Sequence, residues 1–325
     1  MKKLVVITIA LCIVLSAFSM NNVSMTTVEA AGSKYEYISL HERFATKKEI
    51  LEKEIKNGDY YFRTRNSKIQ VKKGKTGKYK TIPVKVNIYS GFAVNGGDVI
   101  FIETVNGVSS LKMYTFANGK VKNLRKLPLS NNRCVGEESY EHSHITGVCG
   151  NYIFFCSYNG LLDHEGSVMY SYNLKNKKIK KAGLNGQAEE NTIGNYLIAS
   201  ERWRTDARTL PFDLYKFTST GTVKKIKKIS KSTYDVKEYN GSLYWVDTTM
   251  QHATNPKTGK KAVLYTMKLD GSGKKKLFTE TSRFAIFSVV SVNEKGIKLS
   301  AYNDMGSADY SYNFETKKMS TIKTK

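Results

Sequence analysis

Three of the five histidines in this 325-residue chain stand close together in sequence. His142 and His144 follow the acidic run Glu137-Glu138-Ser139-Tyr140-Glu141, and His164 sits within Asp163-His164-Glu165. Residues two apart on a strand share a side, so His142 and His144 can present two imidazoles together. A third imidazole from His164, or a carboxylate, would complete a divalent-metal set. A glutamate beside such a set could act as acid or base, which is the route to an extracellular hydrolase, lyase or cyclase. The spacing matches no established metal motif, and the same residues read equally as a polar channel mouth that holds no cofactor.

A second group suits binding rather than catalysis. Arg202-Trp203-Arg204 and Arg208 gather arginines around a tryptophan, with Tyr158 and His252 on neighbouring long segments. Arg and Trp recur in binding hot spots through stacking and bidentate pairing. The alternative is that Trp203 packs down as a loop anchor while the arginines are solvated. No Gly-rich phosphate loop, nucleophile elbow or His-Glu-x-x-His helix is present. Cys134, Cys149 and Cys156 follow the leader, an odd number; a Cys134 to Cys156 bridge and reduced buried thiols are both open.

The elements that must carry these residues repeat. Each copy has a Gly-led turn, a β-rich run, a loop of variable length, a Tyr-rich run and a Lys-rich hairpin. Examples are Gly150-Asn151-Tyr152-Ile153-Phe154-Phe155 with Val168 to Ala182, and Asn240-Gly241-Ser242-Leu243-Tyr244-Trp245 with Val263 to Phe278. The markers Gly58, Gly97, Gly150, Gly194, Gly241 and Gly296 recur every ~40 to 55 residues, a blade-sized period. Large apolar and small polar residues alternate within the runs as strands require, and Asp270-Gly271 and Asn118-Gly119 supply hairpin turns. A further strand before each Gly turn is expected at Ile88 to Val94, His142 to Val148, Tyr234 to Tyr239 and Phe284 to Val292. Six such units predict an all-β fold, a six-bladed β-propeller of four-stranded antiparallel blades, because radial closure protects sheet edges. Enlarged loops at Ser157 to Ser167, Ser200 to Phe212 and Asp247 to Ala262 should emerge on one face. Residues 57–325 form the propeller; 32–56, partly helical in pattern, are a flanking segment or the first strand of blade one.

The fifth unit carries Tyr244-Trp245-Val246-Asp247, then Leu264-Tyr265-Thr266-Met267-Lys268-Leu269-Asp270-Gly271-Ser272. This resembles the YWTD repeat of bacterial secreted domains of unknown function related to the low-density-lipoprotein-receptor-type propeller, and more loosely the TolB-type repeat. The resemblance implies a six-bladed propeller used for binding. It is specific in this blade only, with Val246 in place of the usual Thr.

Compartment and charge bound the chemistry further. Lys2 and Lys3 precede an apolar run from Leu4 to Ala17, and Val28-Glu29-Ala30 resembles a cleavage site, so residues 1–31 read as a secretory signal. The run falls short of the ~20 residues that span a bilayer, and no later segment reaches it. A secreted or cell-surface protein, associated with the envelope, is therefore expected. The formal net charge is +24, with lysines clustered at Lys72 to Lys80, Lys175 to Lys181, Lys224 to Lys231 and Lys274 to Lys276. On outer strands they would block edge pairing; they would also attract an anionic envelope polymer. An extracellular protein or glycan partner is expected, and nucleic acid is not, since the compartment is wrong and Lys outweighs base-reading Arg.

Overall fold

Asn-Gly and Gly-Asn pairs reverse this chain by allowing positive φ, and strands of alternating or continuous apolar residues extend from each reversal. The computed structural model describes residues 35–38, 54–65, 68–84, 91–106, 108–128, 143–157, 167–187, 190–200, 210–248, 260–282, 286–303 and 306–324. Among these there is no helix. The strands form six antiparallel sheets, each ordered as in the chain. Sheet one comprises β2 (Ile55–Asn57), β3 (Tyr60–Arg65), β4 (Lys68–Lys73) and β5 (Lys80–Thr81). Sheet two holds β6 (Phe92–Asn95), β7 (Asp98–Val105), β8 (Val108–Thr115) and β9 (Lys120–Lys126), and sheet three β10 (His144–Cys149), β11 (Tyr152–Ser157), β12 (Ser167–Asn173) and β13 (Ile179–Gln187). Sheet four contains β14 (Glu190–Ile193), β15 (Tyr196–Ala199), β16 (Leu210–Phe217) and β17 (Val223–Thr233), and sheet five β18 (Lys237–Tyr239), β19 (Ser242–Thr248), β20 (Lys260–Lys268) and β21 (Lys275–Ser282). Sheet six is β22 (Ile286–Asn293), β23 (Gly296–Asn303), β24 (Gly306–Asn313) and β25 (Met319–Thr324). This is a six-bladed β-propeller, as the repeats predict.

Sheet two has a fifth strand. β1 (Glu36–Ile38) pairs antiparallel with β6, Tyr37 opposite Ala93. Strand alternation sends Ile38 into the core between sheets one and two, while Tyr35 and Tyr37 pack toward sheet three. Gly91 makes room for this. A Cβ there would lie 2.3 Å from the Tyr37 ring.

The core is a series of layers between successive sheets rather than one central mass. In β11, Ile153 and Phe155 pack toward sheet two, and Phe154 and Cys156 toward sheet four, so the strand is apolar on both faces. Five apolar clusters join sheets one to two, two to three, three to four, four to five and five to six. Polar bonds accompany them. Asn57 Oδ1 accepts from Gly96 N at 3.0 Å, Ser171 Oγ donates to Gly221 O at 2.7 Å, and Val289 N donates to Asp235 Oδ1 at 3.1 Å. Among the described residues none of the five clusters joins sheet six to sheet one.

Candidate functional site

Every sheet keeps its strands in chain order, so the connections from second to third strand all leave on the same face of the propeller. Their lengths divide that face in two. In sheets one, two and six the connections are the pairs 66–67, 106–107 and 304–305. In sheets three, four and five they span 158–166, 200–209 and 249–259. Three sheets thus have two-residue connections here and the other three have connections of nine to eleven residues. Tyr158, Arg202, Trp203, Arg204, Arg208 and His252 belong to those loops and lie outside the described residues, as do His142, His164 and Cys134. The structure places only the stems on which they stand.

The stem in sheet three is a hydroxyl chain. Ser157 Oγ donates to Pro128 O at 2.7 Å, which commits its only proton, so Ser143 Oγ is the donor in their 2.9 Å contact. Both serines are buried. His144, half-buried, begins β10 opposite Cys156; among the described residues no three His, Cys, Asp or Glu side chains converge. Cys149 is a buried free thiol at the far end of the same strand. Burial pushes its pKa up, against the lowering influence of the Lys216 charge, so it is a poor nucleophile at neutral pH.

Sheets four and five share the second stem. Asp247, near the end of β19, accepts a hydrogen bond from Ser230 of β17. Ser230 in turn stands opposite Phe212, at the base of the 200–209 connection. One carboxylate therefore fastens the roots of two adjacent long loops. Burial raises the Asp247 pKa and outweighs the lowering influences of Ser230, Lys274 and Lys231. Lys274 is an exposed residue, yet its ammonium donates to Ile229 O at 2.6 Å. It lies 5.0 Å from the Trp245 ring centroid and 5.1 Å from that of Tyr265. Desolvation, with the charges of Lys227 and Lys228, lowers the Lys274 pKa despite the opposing pull of Asp247. Trp245 and Tyr265 stack at 5.6 Å.

The Tyr-Trp-Val-Asp motif is accounted for by these contacts. Trp245 is fully buried, Val246 is in the cluster facing sheet six, Tyr244 packs on Phe314, and Asp247 faces sheet four. The Asp247 carboxylate and the Lys274 ammonium are both bonded to sheet four, so the constellation acts as a clasp between blades. Sequence reasoning missed Ser230 and Lys274. Both are embedded in lysine runs that read as rim charge, and only the fold reveals that their tips turn inward.

No family model and no curated protein matches the chain. Solved structures do align with it. A prolyl endopeptidase aligns with a TM-score of 0.49 and 12% identity, covering 84% of this chain and 42% of that one. A putative TolB from Agrobacterium tumefaciens gives 0.38 and 11%, covering 69% and 78%. The nidogen/laminin complex gives 0.37 and 10%, covering 76% and 93%. The chain spans only 26% of the tricorn protease chain that it also matches. At these similarities the alignments assign no activity.

Proposed function

We propose that this protein is a secreted or cell-surface propeller that acts as a non-catalytic binding module for an extracellular protein or glycan. The observation that carries the reading is the grouping of long connections on three consecutive blades, 158–166, 200–209 and 249–259, at one end of the molecule. Variable loops on a rigid scaffold are where recognition is usually placed. The stems support it: the Ser143, Ser157 and Pro128 chain and the Ser230 to Asp247 bond fix the roots of these connections. In this reading Trp203 anchors the partner, Arg202, Arg204 and Arg208 pair with its polar groups, and Tyr158 and His252 complete the contact. The Tyr-Trp-Val-Asp resemblance, which implies binding rather than catalysis, points the same way.

Pull-down from culture supernatant and glycan arrays, with wild type and Trp203→Ala compared at equal thermal stability, test the reading. Retention of a partner by wild type alone is expected. Equal retention by both would overturn the role of the loops. Elemental analysis after dialysis against metal-free buffer tests the competing enzyme: stoichiometric metal lost in a His142→Ala and His144→Ala variant would replace the binding reading by one in which those residues and His164 hold a catalytic ion.

A further inference from the structure

Sheet one differs from the middle blades in having only one apolar face. Ile55, Phe62, Ile69 and Val71 turn toward sheet two, and alternation places Lys56, Tyr61, Arg63, Gln70 and Lys72 on the other side. In a ring of six blades that side faces sheet six, and no apolar cluster joins the two among the described residues. Sheet six has a polar face as well, Lys298, Ser300 and Ser311 alternating with the residues that pack toward sheet five. Among the described residues the propeller has five apolar interfaces and one hydrophilic seam.

The cations in this seam are held in place. Two rungs of the ladder carry them, Lys56, Tyr61 and Lys72 on one and Arg63, Gln70 and Thr81 on the next. Lys72 is 9% exposed. Its ammonium bridges to Glu54 at 2.9 Å and lies 5.0 and 4.7 Å from the Tyr61 and Tyr79 ring centroids. The Arg63 guanidinium carbon sits 3.8 Å from the Tyr79 centroid. Its Nε donates to Gln70 Oε1 at 2.8 Å, and Gln70 Nε2 donates to Thr81 Oγ1 at 3.0 Å. The terminal nitrogens of Arg63 make no hydrogen bond among the described residues. A guanidinium with its plane stacked and its inner nitrogen fixed presents a preorganised fork for an oxyanion.

We infer that the sheet-one face of the seam binds a linear polyanion, with Arg63 as the fork that grips one oxyanion and Lys56 beside it, while the buried Lys72, neutralised by Glu54, holds Tyr61 and Tyr79 in place. Neighbouring strands lie ~4.8 Å apart and same-face residues ~7 Å along a strand, so the cations are spread to meet successive charges on a chain rather than one small ion. Lys68, Lys73, Lys75, Lys78 and Lys80 continue the positive surface outward, with Glu54 and Asp59 the acidic residues of this blade among those described. Phosphodiester and carboxylate polymers share the required chemistry. The surface is separate from the long loops of blades three to five, so its failure and theirs are distinguishable.

The test is fluorescence anisotropy of labelled polyphosphate, labelled alginate and labelled neutral dextran with the purified protein at physiological salt. Arg63→Gln should weaken the preferred polyanion ~10-fold or more, the scale of one charge-assisted contact. Arg63→Lys, which keeps the charge without the fork, should fall between. Lys224→Gln with Lys227→Gln, which removes two charges from the rim of sheet four, should change affinity by ~2-fold or less because distant exposed charges are screened. Whichever polymer binds tighter identifies phosphate or carboxylate as the source. No binding, binding of dextran, wild-type affinity in Arg63→Gln, or an equal loss in the sheet-four variant would overturn the inference; circular dichroism establishes that each variant is folded.

Discussion

The Ser230 hydroxyl of sheet four donates to the Asp247 carboxylate of sheet five, near the strand ends from which the 200–209 and 249–259 connections leave. A bond that crosses between blades at this position couples the footing of both loops, so its loss should be felt in each.

Ser230→Ala leaves a half-buried carboxylate short of a donor and should cost about 1–3 kcal/mol, read as a lowered midpoint in urea unfolding. Asp247→Asn should behave differently. The folded pKa of Asp247 lies above its ordinary value, so its contribution to stability is full below the ordinary carboxylate range and is lost as pH rises through the raised value. The amide cannot ionise. Asp247→Asn should therefore be no less stable than wild type at pH 7, and unfolding curves across pH 3 to 7 should lose this component.

Glu54 titrates in the opposite sense. Desolvation pushes its pKa up, but hydrogen bonds from Tyr79 and Lys72 and the charges of Lys72 and Arg63 together hold it below the ordinary value. Its contribution is present above the ordinary carboxylate pKa and lost as pH falls through the lowered one. Glu54→Gln should flatten the acid limb of the stability profile while leaving stability at pH 9 changed by a constant offset, measured by thermal melts at a pH series.

Trp245 is fully buried, so Trp245→Ala should cost about 3–5 kcal/mol, seen in the denaturation midpoint. With only two tryptophans in the chain, Trp245→Phe leaves Trp203 as the sole indole reporter. Emission from that variant should shift when a partner engages the long loops, and emission from Trp203→Phe should not.

Gly91→Ala tests the docking of β1. The added methyl would strike the Tyr37 ring, since an ideal Cβ at this position lies 2.3 Å from it, and release the strand from β6. Limited proteolysis should then cut near Glu36 at least ~10-fold faster, an opening of about 1.4 kcal/mol or more; unchanged cutting would show that Tyr37 moves aside.

Much of the architecture was legible because each blade repeats its own turn and strand chemistry. Gly58, Gly150, Gly194 and Gly241 do occupy positive φ in the turns. Gly296 serves another purpose: a Cβ there would lie 2.0 Å from Tyr312 O, so it is needed for close strand approach, and Glu294 and Lys295 make the turn. At Tyr234 to Tyr239 the expected strand begins only at Lys237. The Asp235 carboxylate instead accepts from Ser288 Oγ and Val289 N of sheet six, and Tyr234 meets Tyr302 edge-on. β1 was illegible, since three residues pairing with a strand far along the chain leave no local signature. The seam was visible in principle. Tyr61, Arg63, Gln70 and Lys72 alternate with apolar neighbours, whereas Val99-Ile100-Phe101-Ile102 runs apolar without a break, the difference between a half-wet and a doubly covered strand.

A closed ring of equal joints has no place to begin coming apart, but a row of five apolar joints has two ends. Among the described residues sheets six and one each lean on a single apolar neighbour, so they are the outermost members of an unzipping series. Amide exchange should be fastest in β2 to β5 and β22 to β25 and slowest in sheets three and four, a gradient running from the seam to the opposite side of the molecule.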